Sequence, residues 1–383
     1  MNKTLIASAL LALPMAAMAD VTIYGTLNAG LQNDNTTKGS SQSRVDDYTS
    51  ILGFKGNENL GNGLSSIWQV ESRLHMDGTG SDTFASRESF VGLQSNTLGK
   101  IRLGNVNNSL EDLGTVDQWN YNDSGIKARH TATSTASVDN TLSSGANGLG
   151  VFTRTGQRLK NSVRYDSPTL YGFDGNIGYG FGENKTSSGD ASNISELGLN
   201  YSNHNFFGHY AYQHESNPGQ TSSGATSNNA AAHVHRLEVG YNDDKLFAAV
   251  GYQAATGYDW EDGFSGDSSS IVVNGNAVNA AARQLKTREA AVTVAYTYGS
   301  FRPKLSYAKG WDQKDNLSGT INNSGYRQYV AGVDYLLSKR TTVGVSYGNI
   351  KFGANSTAAT ADSSGNTSDT TIRTVGVSMT HSF

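Results

Sequence analysis

The sequence predicts an all-β fold, a transmembrane antiparallel β-barrel of about sixteen strands. Three observations predict it. Apolar and polar residues alternate with a period of two along segment after segment, the mark of strands with one apolar face. Short and long connections between these segments take turns along the chain. The composition, with 44 Gly and 19 Tyr but only 4 Pro, favours strands joined by turns over helices. No stretch of the chain beyond its first residues approaches the roughly 18 consecutive apolar residues of a membrane-spanning helix, but a barrel crosses a bilayer with only every second residue facing lipid.

The N-terminal segment is read separately. Met1–Ala19 has one early positive residue, Lys3, an apolar run Leu5–Leu13, and small residues Ala17-Met18-Ala19 before Asp20. That is the pattern of a secretory signal peptide, which is cleaved and leaves residues 20–383 as the barrel domain. Removing Lys3 takes the formal net charge from −4 to −5, and a mildly acidic chain argues against a nucleic-acid partner. An exported chain without cysteine does not rest its stability on disulfides.

The first strand is Val21–Gln32, with Val21, Ile23, Leu27, Ala29 and Leu31 on one face and Thr22, Tyr24, Thr26, Asn28 and Gln32 on the other. Further strands are expected at 46–55, 65–75, 87–95, 100–105, 161–166, 176–183, 192–202, 206–214, 233–242, 246–255, 286–298, 302–311, 326–336, 341–352 and 371–383. The short turns, such as Asn96–Gly99 and Asp243–Lys245, alternate with long loops such as Glu215–Ala232 and Gly353–Asp369. This order puts both termini on the short-turn side, as in bacterial barrels with periplasmic turns and extracellular loops. On the last strand Val375, Val377, Met379, His381 and Phe383 share a face, opposite Ser378; with Leu305 and Tyr307, the valines are expected to face lipid. Pairing this strand with the first would close the sheet.

The longest connection, from Val106 to Lys160, is too long to be an ordinary link and is read as functional. It carries Glu111, Asp112 and Asp117 with Trp119, while the flanking strands carry Lys100, Arg102, Arg158, Lys160 and Arg164. An acidic loop against a basic wall is the constriction expected of a water-filled channel. No serine stands in a nucleophile setting beside the scattered histidines, and Gly145–Gly150 lacks the Gly-Lys-Ser/Thr of a phosphate loop, so neither an enzyme nor a cofactor is expected. His233 and His235 share a strand face, which is compatible with a metal, but with no third ligand nearby they read as rim histidines.

Several stretches carry a family resemblance: Asp20–Thr26, Gly53-Phe-Lys-Gly56, Asn59–Glu71, Ser89–Leu93, Gly99–Gly104, Asn161–Pro168, Ser338–Thr341 and His381-Ser-Phe383. In order and over nearly the whole mature chain they resemble the neisserial type of general-diffusion porin from Gram-negative outer membranes. The resemblance implies a sixteen-stranded barrel in outer-membrane lipid, a homotrimer, and passive passage of small hydrophilic solutes and ions. It also implies a third extracellular loop folded into the lumen. A closing phenylalanine, here Phe383, is similar to the signal read by the barrel-assembly machinery. Arg87, Arg102 and Arg158 match basic pore-wall positions, with Lys160 and Arg164 sharing the parity of Arg158. Glu111, Asp112 and Asp117 fall where such porins place the opposite, acidic wall. Ile51 stands where an arginine is common and Asn28 where a lysine is common, so the implied anion preference is weak. Asp77–Ser86 is the loop expected to reach over a neighbouring subunit.

Overall fold

The computed structural model describes residues 20–37, 41–78 except 49, 83–112, 116, 118, 119, 158–185, 190–217, 231–257, 271–273, 276–278, 284–316, 318–356 and 368–383. Its main sheet has nineteen hydrogen-bonded strands, which make a closed antiparallel barrel of sixteen staves. In chain order the staves are β1 (Asp20–Thr36), β2 (Gln42–Asp47 and Ser50–Gly61), β3 (Leu64–Leu74), β4 (Ser89–Ser95), β5 (Gly99–Asn107), β6 (Arg158–Asp166), β7 (Phe173–Gly180) and β8 (Ile194–Asn203). There follow β9 (Phe206–Glu215), β10 (Ala232–Asn242), β11 (Leu246–Thr256), β12 (Leu285–Tyr296), β13 (Phe301–Gly310), β14 (Tyr326–Leu336), β15 (Thr341–Phe352) and β16 (Thr370–Ser382). The remaining two strands of the sheet, Lys314–Asp315 and Gly319–Thr320, form a small hairpin above β12.

Closure joins β1 to β16, with Gly30 opposite Ser378 and Leu31 opposite Val377. Gly25 and Phe383 exchange two backbone hydrogen bonds of 3.2 and 3.0 Å at the end of this seam. A Cβ on Gly25 would lie 2.6 Å from the Phe383 ring, so the glycine makes room for the aromatic.

The alternation read from the sequence sorts the side chains as expected. Leu31, Leu305, Tyr307, Val375 and Val377 are exposed on the outside, whereas Gln32, Ser306, Thr374 and Ser378 on the same strands are buried on the inside. An inverted arrangement, apolar out and polar in, suits a lipid solvent around a wet lumen. Rings cluster at the short-turn end, where Phe206 meets Tyr241 at 5.1 Å and Phe301 meets Tyr335 at 5.0 Å. Others cluster at the long-loop end, where Tyr329 and Tyr347 are 6.0 Å apart and Tyr252 and Trp311 6.3 Å.

Several strand boundaries differ from the sequence reading, and two of the differences bear on the lumen. β2 is broken at Tyr48, where the Asn28 side chain donates to the Tyr48 carbonyl at 3.0 Å and the Asn28 amide donates to the Ser50 hydroxyl at 2.9 Å. Asn28 is thus a structural residue that repairs the broken ladder. The β5–β6 ladder extends beyond the expected strand ends, with Val106 opposite Leu159 and Asn107 opposite Arg158. A shift of register between Gly104 and Val106, matched by Asn161 at φ +48°, allows that extension. Helix among the described residues is confined to the single turn Ser109–Asp112.

Candidate functional site

The inward face of β3 to β8 carries a continuous line of charges. Arg102 and Arg164 are directly opposite each other, an arrangement that is repulsive by itself. Carboxylates from the same wall offset it. Glu88 lies 2.5 Å from Arg102, and Asp166 lies 2.9 Å from Arg102 and 2.7 Å from Arg164. Glu196 follows at 3.8 Å from Arg164. Beside this line Arg87 meets Glu71 at 2.6 Å, and Glu71 also accepts the Tyr24 hydroxyl at 3.0 Å. These are charge-assisted bonds among side chains largely withdrawn from water, with Arg164 only 2% exposed.

The pairing continues around the wall. Arg236 and Glu238 of β10 are 2.6 Å apart, Lys304 of β13 and Asp334 of β14 are 2.8 Å apart, and Arg44 reaches Asp34 at 2.6 Å. Basic and acidic groups are therefore interleaved on one surface rather than separated onto two.

The segment after β5 runs along this surface. Asn108 donates to Gln213 of β9 at 2.7 Å, the Ser109 amide donates to Glu196 of β8 at 2.8 Å, and the Ser109 hydroxyl bonds Asn176 of β7. Further on, the Val116 amide donates to Glu238 of β10 at 3.1 Å. Gln118 accepts from Arg302 at 2.6 Å and, through its carbonyl, from Lys304 at 2.9 Å. The Trp119 indole donates to Ser306 at 2.8 Å, and Lys304 lies 4.5 Å from the centre of its ring. These partners belong to β7, β8, β9, β10 and β13, so Asn108, Ser109, Val116, Gln118 and Trp119 touch inward positions around much of the barrel. Val116 and Trp119 are buried there with Phe247, Ala249, Ala291 and Val330. The apolar inward residues explain why this segment adheres, because a purely polar wall would give it no area to bury.

The residues singled out in the sequence fall into three groups. Arg87, Arg102 and Arg164 lie in the charge line. For Lys160 the structure breaks the expected parity. The bulge at Asn161 turns Leu159 inward, where it is 1% exposed and packs over Gly178 and Gly180, and leaves Lys160 exposed on the other side of the strand. Arg158, opposite Asn107, is half-buried, with its Nε and Nη2 withdrawn from solvent. The side chains of Glu111 and Asp112, and the whole of Asp117, lie outside the described residues. His233 and His235 face outward, where His233 bonds Tyr212 at 3.0 Å and His214 at 3.1 Å and His235 bonds Tyr210 at 2.9 Å.

Sequence reasoning missed the carboxylates Glu88, Asp166, Glu196 and Glu238. Glu196 and Glu238 carried a signal, since each alternates with outward apolar residues, Leu197 and Leu199 or Leu237 and Val239. Glu88 and Asp166 stand at strand ends, where parity is least informative.

Comparison with known proteins agrees with this architecture. A profile of the Gram-negative porin family matches residues 6–355. Major outer membrane protein P.IB of Neisseria lactamica is 34% identical over 376 residues, covering 95% of this chain and 98% of that protein. The protein of the same name from Neisseria meningitidis serogroup B is 33% identical, covering 92% and 94%. Among solved structures, an anion-selective porin from Comamonas acidovorans superposes with a TM-score of 0.69 at 22% identity, over 95% of this chain and 100% of that one. OmpF of Salmonella typhi, solved with daunomycin, gives 0.61 at 18% identity over 95% and 98%. With a wet, charge-lined lumen inside an apolar-coated barrel, this chain belongs to the Gram-negative porin family and is an outer-membrane channel for passive diffusion, not an enzyme.

Proposed function

We propose that residues 106–160 form the constriction of the channel and that the channel has only a weak anion preference. The observation that carries this is the run of contacts from Asn108 to Trp119 along the inward wall. Arg87, Arg102 and Arg164 supply the cationic side, with Arg158 and Lys160 flanking the loop, and Glu111, Asp112 and Asp117 supply the acidic side. Because Glu71, Glu88, Asp166 and Glu196 already neutralise the wall arginines, little net field is left to favour one sign. Ile51 and Asn28, where related porins carry cations, act in the same direction. Fixed charges act on passing ions over about a Debye length, roughly 8 Å at physiological salt.

The native unit is proposed to be a homotrimer of separate pores, assembled by machinery that reads the last strand and Phe383, with Asp77–Ser86 reaching over the neighbour. OmpT of Vibrio cholerae, which shares the fold, has been solved in a trimer form. The test is a bilayer recording in a salt gradient. Replacing Arg102 and Arg158 by glutamine should move the zero-current potential toward cation preference, less so at high salt. Deleting residues 111–117 should move it the other way and raise the size limit for sugars. Unchanged potentials and sugar permeation in both variants would remove the loop from the constriction, and conductance in single rather than triple steps would remove the trimer.

A further inference from the structure

The outside of the barrel carries a histidine cluster that diffusion through the lumen does not use. Ala211, Gln213, Val234 and Arg236 are buried on the inside of β9 and β10, so the residues that alternate with them, Tyr212, His214, His233 and His235, stand on the outside. The register sets His214 directly opposite His233, and Tyr212 directly opposite His235. A linear reading joins His233 to His235, two residues along one strand. In the folded protein His235 turns to the Tyr210 hydroxyl at 2.9 Å, while His233 turns to the neighbouring strand. The Nδ1 atoms of His214 and His233 are 3.1 Å apart, with the ring centres at 4.8 Å and the ring planes at 41°.

The Tyr212 hydroxyl also lies 3.0 Å from the His233 Nδ1. A neutral imidazole nitrogen has either one hydrogen or one lone pair, so this atom makes one full hydrogen bond where two partners approach it. A cation between the rings removes the competition, because both Nδ1 atoms then turn lone pairs toward it. The spacing suits a small transition metal. At a metal–nitrogen bond of about 2.05 Å, nitrogens 3.1 Å apart subtend about 98° at the ion, between about 90° for a square-planar and about 109° for a tetrahedral site. The pair is also within reach of the medium. His214 and His233 are half-buried, flanked by Ser195 of β8 and Thr256 of β11, while the lipid-side residues Leu199, Leu237 and Val239 lie nearer the middle of the strands.

We propose that His214 and His233 bind one divalent late transition-metal ion through their Nδ1 atoms, with water in its remaining positions. Imidazole nitrogen favours Cu²⁺, Ni²⁺ and Zn²⁺ over the oxygen-seeking Mg²⁺ and Ca²⁺, and Cu²⁺ binds tightest at a given nitrogen site. Among the described residues no group of three or more His, Cys, Asp or Glu side chains forms a metal cage. Two protein ligands with open positions make an exchangeable site, which takes up metal from the medium and releases it, and not a permanent structural centre. The bound ion ties β9 to β10 at the foot of their long connection.

The experiment uses the full-length protein, folded and assembled, in neutral detergent after treatment with a chelator. It is titrated by calorimetry with Cu²⁺, Zn²⁺ and Mg²⁺, and the Cu²⁺-loaded protein is measured by pulsed electron paramagnetic resonance, which counts the imidazoles bound to copper. The unmodified protein should bind one Cu²⁺ per chain through two imidazoles, bind Zn²⁺ more weakly and Mg²⁺ not at all, and unfold at a higher temperature with Zn²⁺ than without it. His214→Gln and His233→Gln should each weaken Cu²⁺ binding at least tenfold and abolish the Zn²⁺ shift. His235→Gln, and His381→Gln on β16, should bind as the unmodified protein does. The proposal is overturned by full binding in His214→Gln or His233→Gln, or by an equal loss in His235→Gln or His381→Gln. A resonance signal with fewer than two imidazoles in the unmodified protein would also overturn it, and that reading depends on no variant folding.

Discussion

Trp119 is the far anchor of the segment that follows β5, and replacing it by alanine should release that segment from the wall. The side chain is 2% exposed, its indole donates to Ser306 at 2.8 Å, and Lys304 sits 4.5 Å from its ring centre. A buried Trp→Ala change costs about 3–5 kcal/mol, of which the hydrogen bond supplies about 1 and the cation–π contact about 1. Lys304 keeps Asp334 at 2.8 Å and the Gln118 carbonyl at 2.9 Å, so no charge is stranded by the change. At 1.4 kcal/mol per factor of ten, even 3 kcal/mol shifts the ratio of docked to undocked segment by about two orders of magnitude. Single-channel conductance and the size limit for sugars entering proteoliposomes should both rise, with larger current noise. Trp119→Phe, which loses the hydrogen bond and keeps most of the volume, should fall between. If Trp119→Ala lowers the unfolding temperature of the barrel but leaves conductance and sugar permeation at their original values, the residue braces the wall and does not hold a constriction.

Other perturbations test other parts of the structure. Val377→Arg puts a cation on the lipid side, at a cost of about 2–4 kcal/mol near the bilayer midplane, and should reduce the yield of folded barrel on gels run without heating; Ser378→Gln on the inside should not, and matching yields would reverse the assigned faces. Arg164→Gln leaves Asp166 with Arg102 but the 1%-exposed Glu196 carboxylate short of a counter-charge, a loss of about 3–5 kcal/mol for a buried pair. Adding Glu196→Gln should recover part of the unfolding temperature, and strictly additive losses would show that the two groups do not interact. At the β10–β11 turn the backbone amides of Leu246 and Lys245, followed by the Tyr241 hydroxyl, hold the Asp243 carboxyl below the usual carboxylate range. A depressed folded-state value means stability that is present above the ordinary carboxylate pKa and lost as pH falls through the depressed one. The protection of the Lys245 and Leu246 amides, taken relative to their intrinsic exchange rates, should therefore fall in acid in the unmodified protein and show no such step in Asp243→Asn.

The barrel was legible because its rule is local. Val375, Thr374, Val377 and Ser378 alternate in sequence and alternate in space, and nothing else in the chain has to be known to place them. What the rule cannot see is a single inserted residue. Asn161, in a left-handed conformation, shifts the phase of β6, so Leu159 rather than Lys160 turns inward. The charges of the site were half legible for a related reason. Arginines attract attention as wall residues, but Glu88, Asp166 and Glu196 meet them only when β4, β5, β6 and β8 are in register, and a linear reading does not pair residues 64 or 32 positions apart, as Asp166 and Glu196 are from Arg102 and Arg164. Asn28 shows the same limit: the position reads as an absent cation, while its side chain is occupied in bridging the break in β2.

The seam between β1 and β16 sets the timetable of biogenesis. The strand made first has one of its two neighbours made last, with Asn28 waiting for Thr380 and Asp34 for Thr374. Until that strand arrives, every arrangement of the other fifteen exposes two rows of unpaired backbone groups, each able to pair with another chain. Such a chain must cross the periplasm uncommitted and be escorted there, because partial folding leads toward aggregation at least as readily as toward the membrane. Contacts between residues more than three hundred positions apart also make closure slow. A porin of this design is in effect finished in one step, at the bilayer, after synthesis is over.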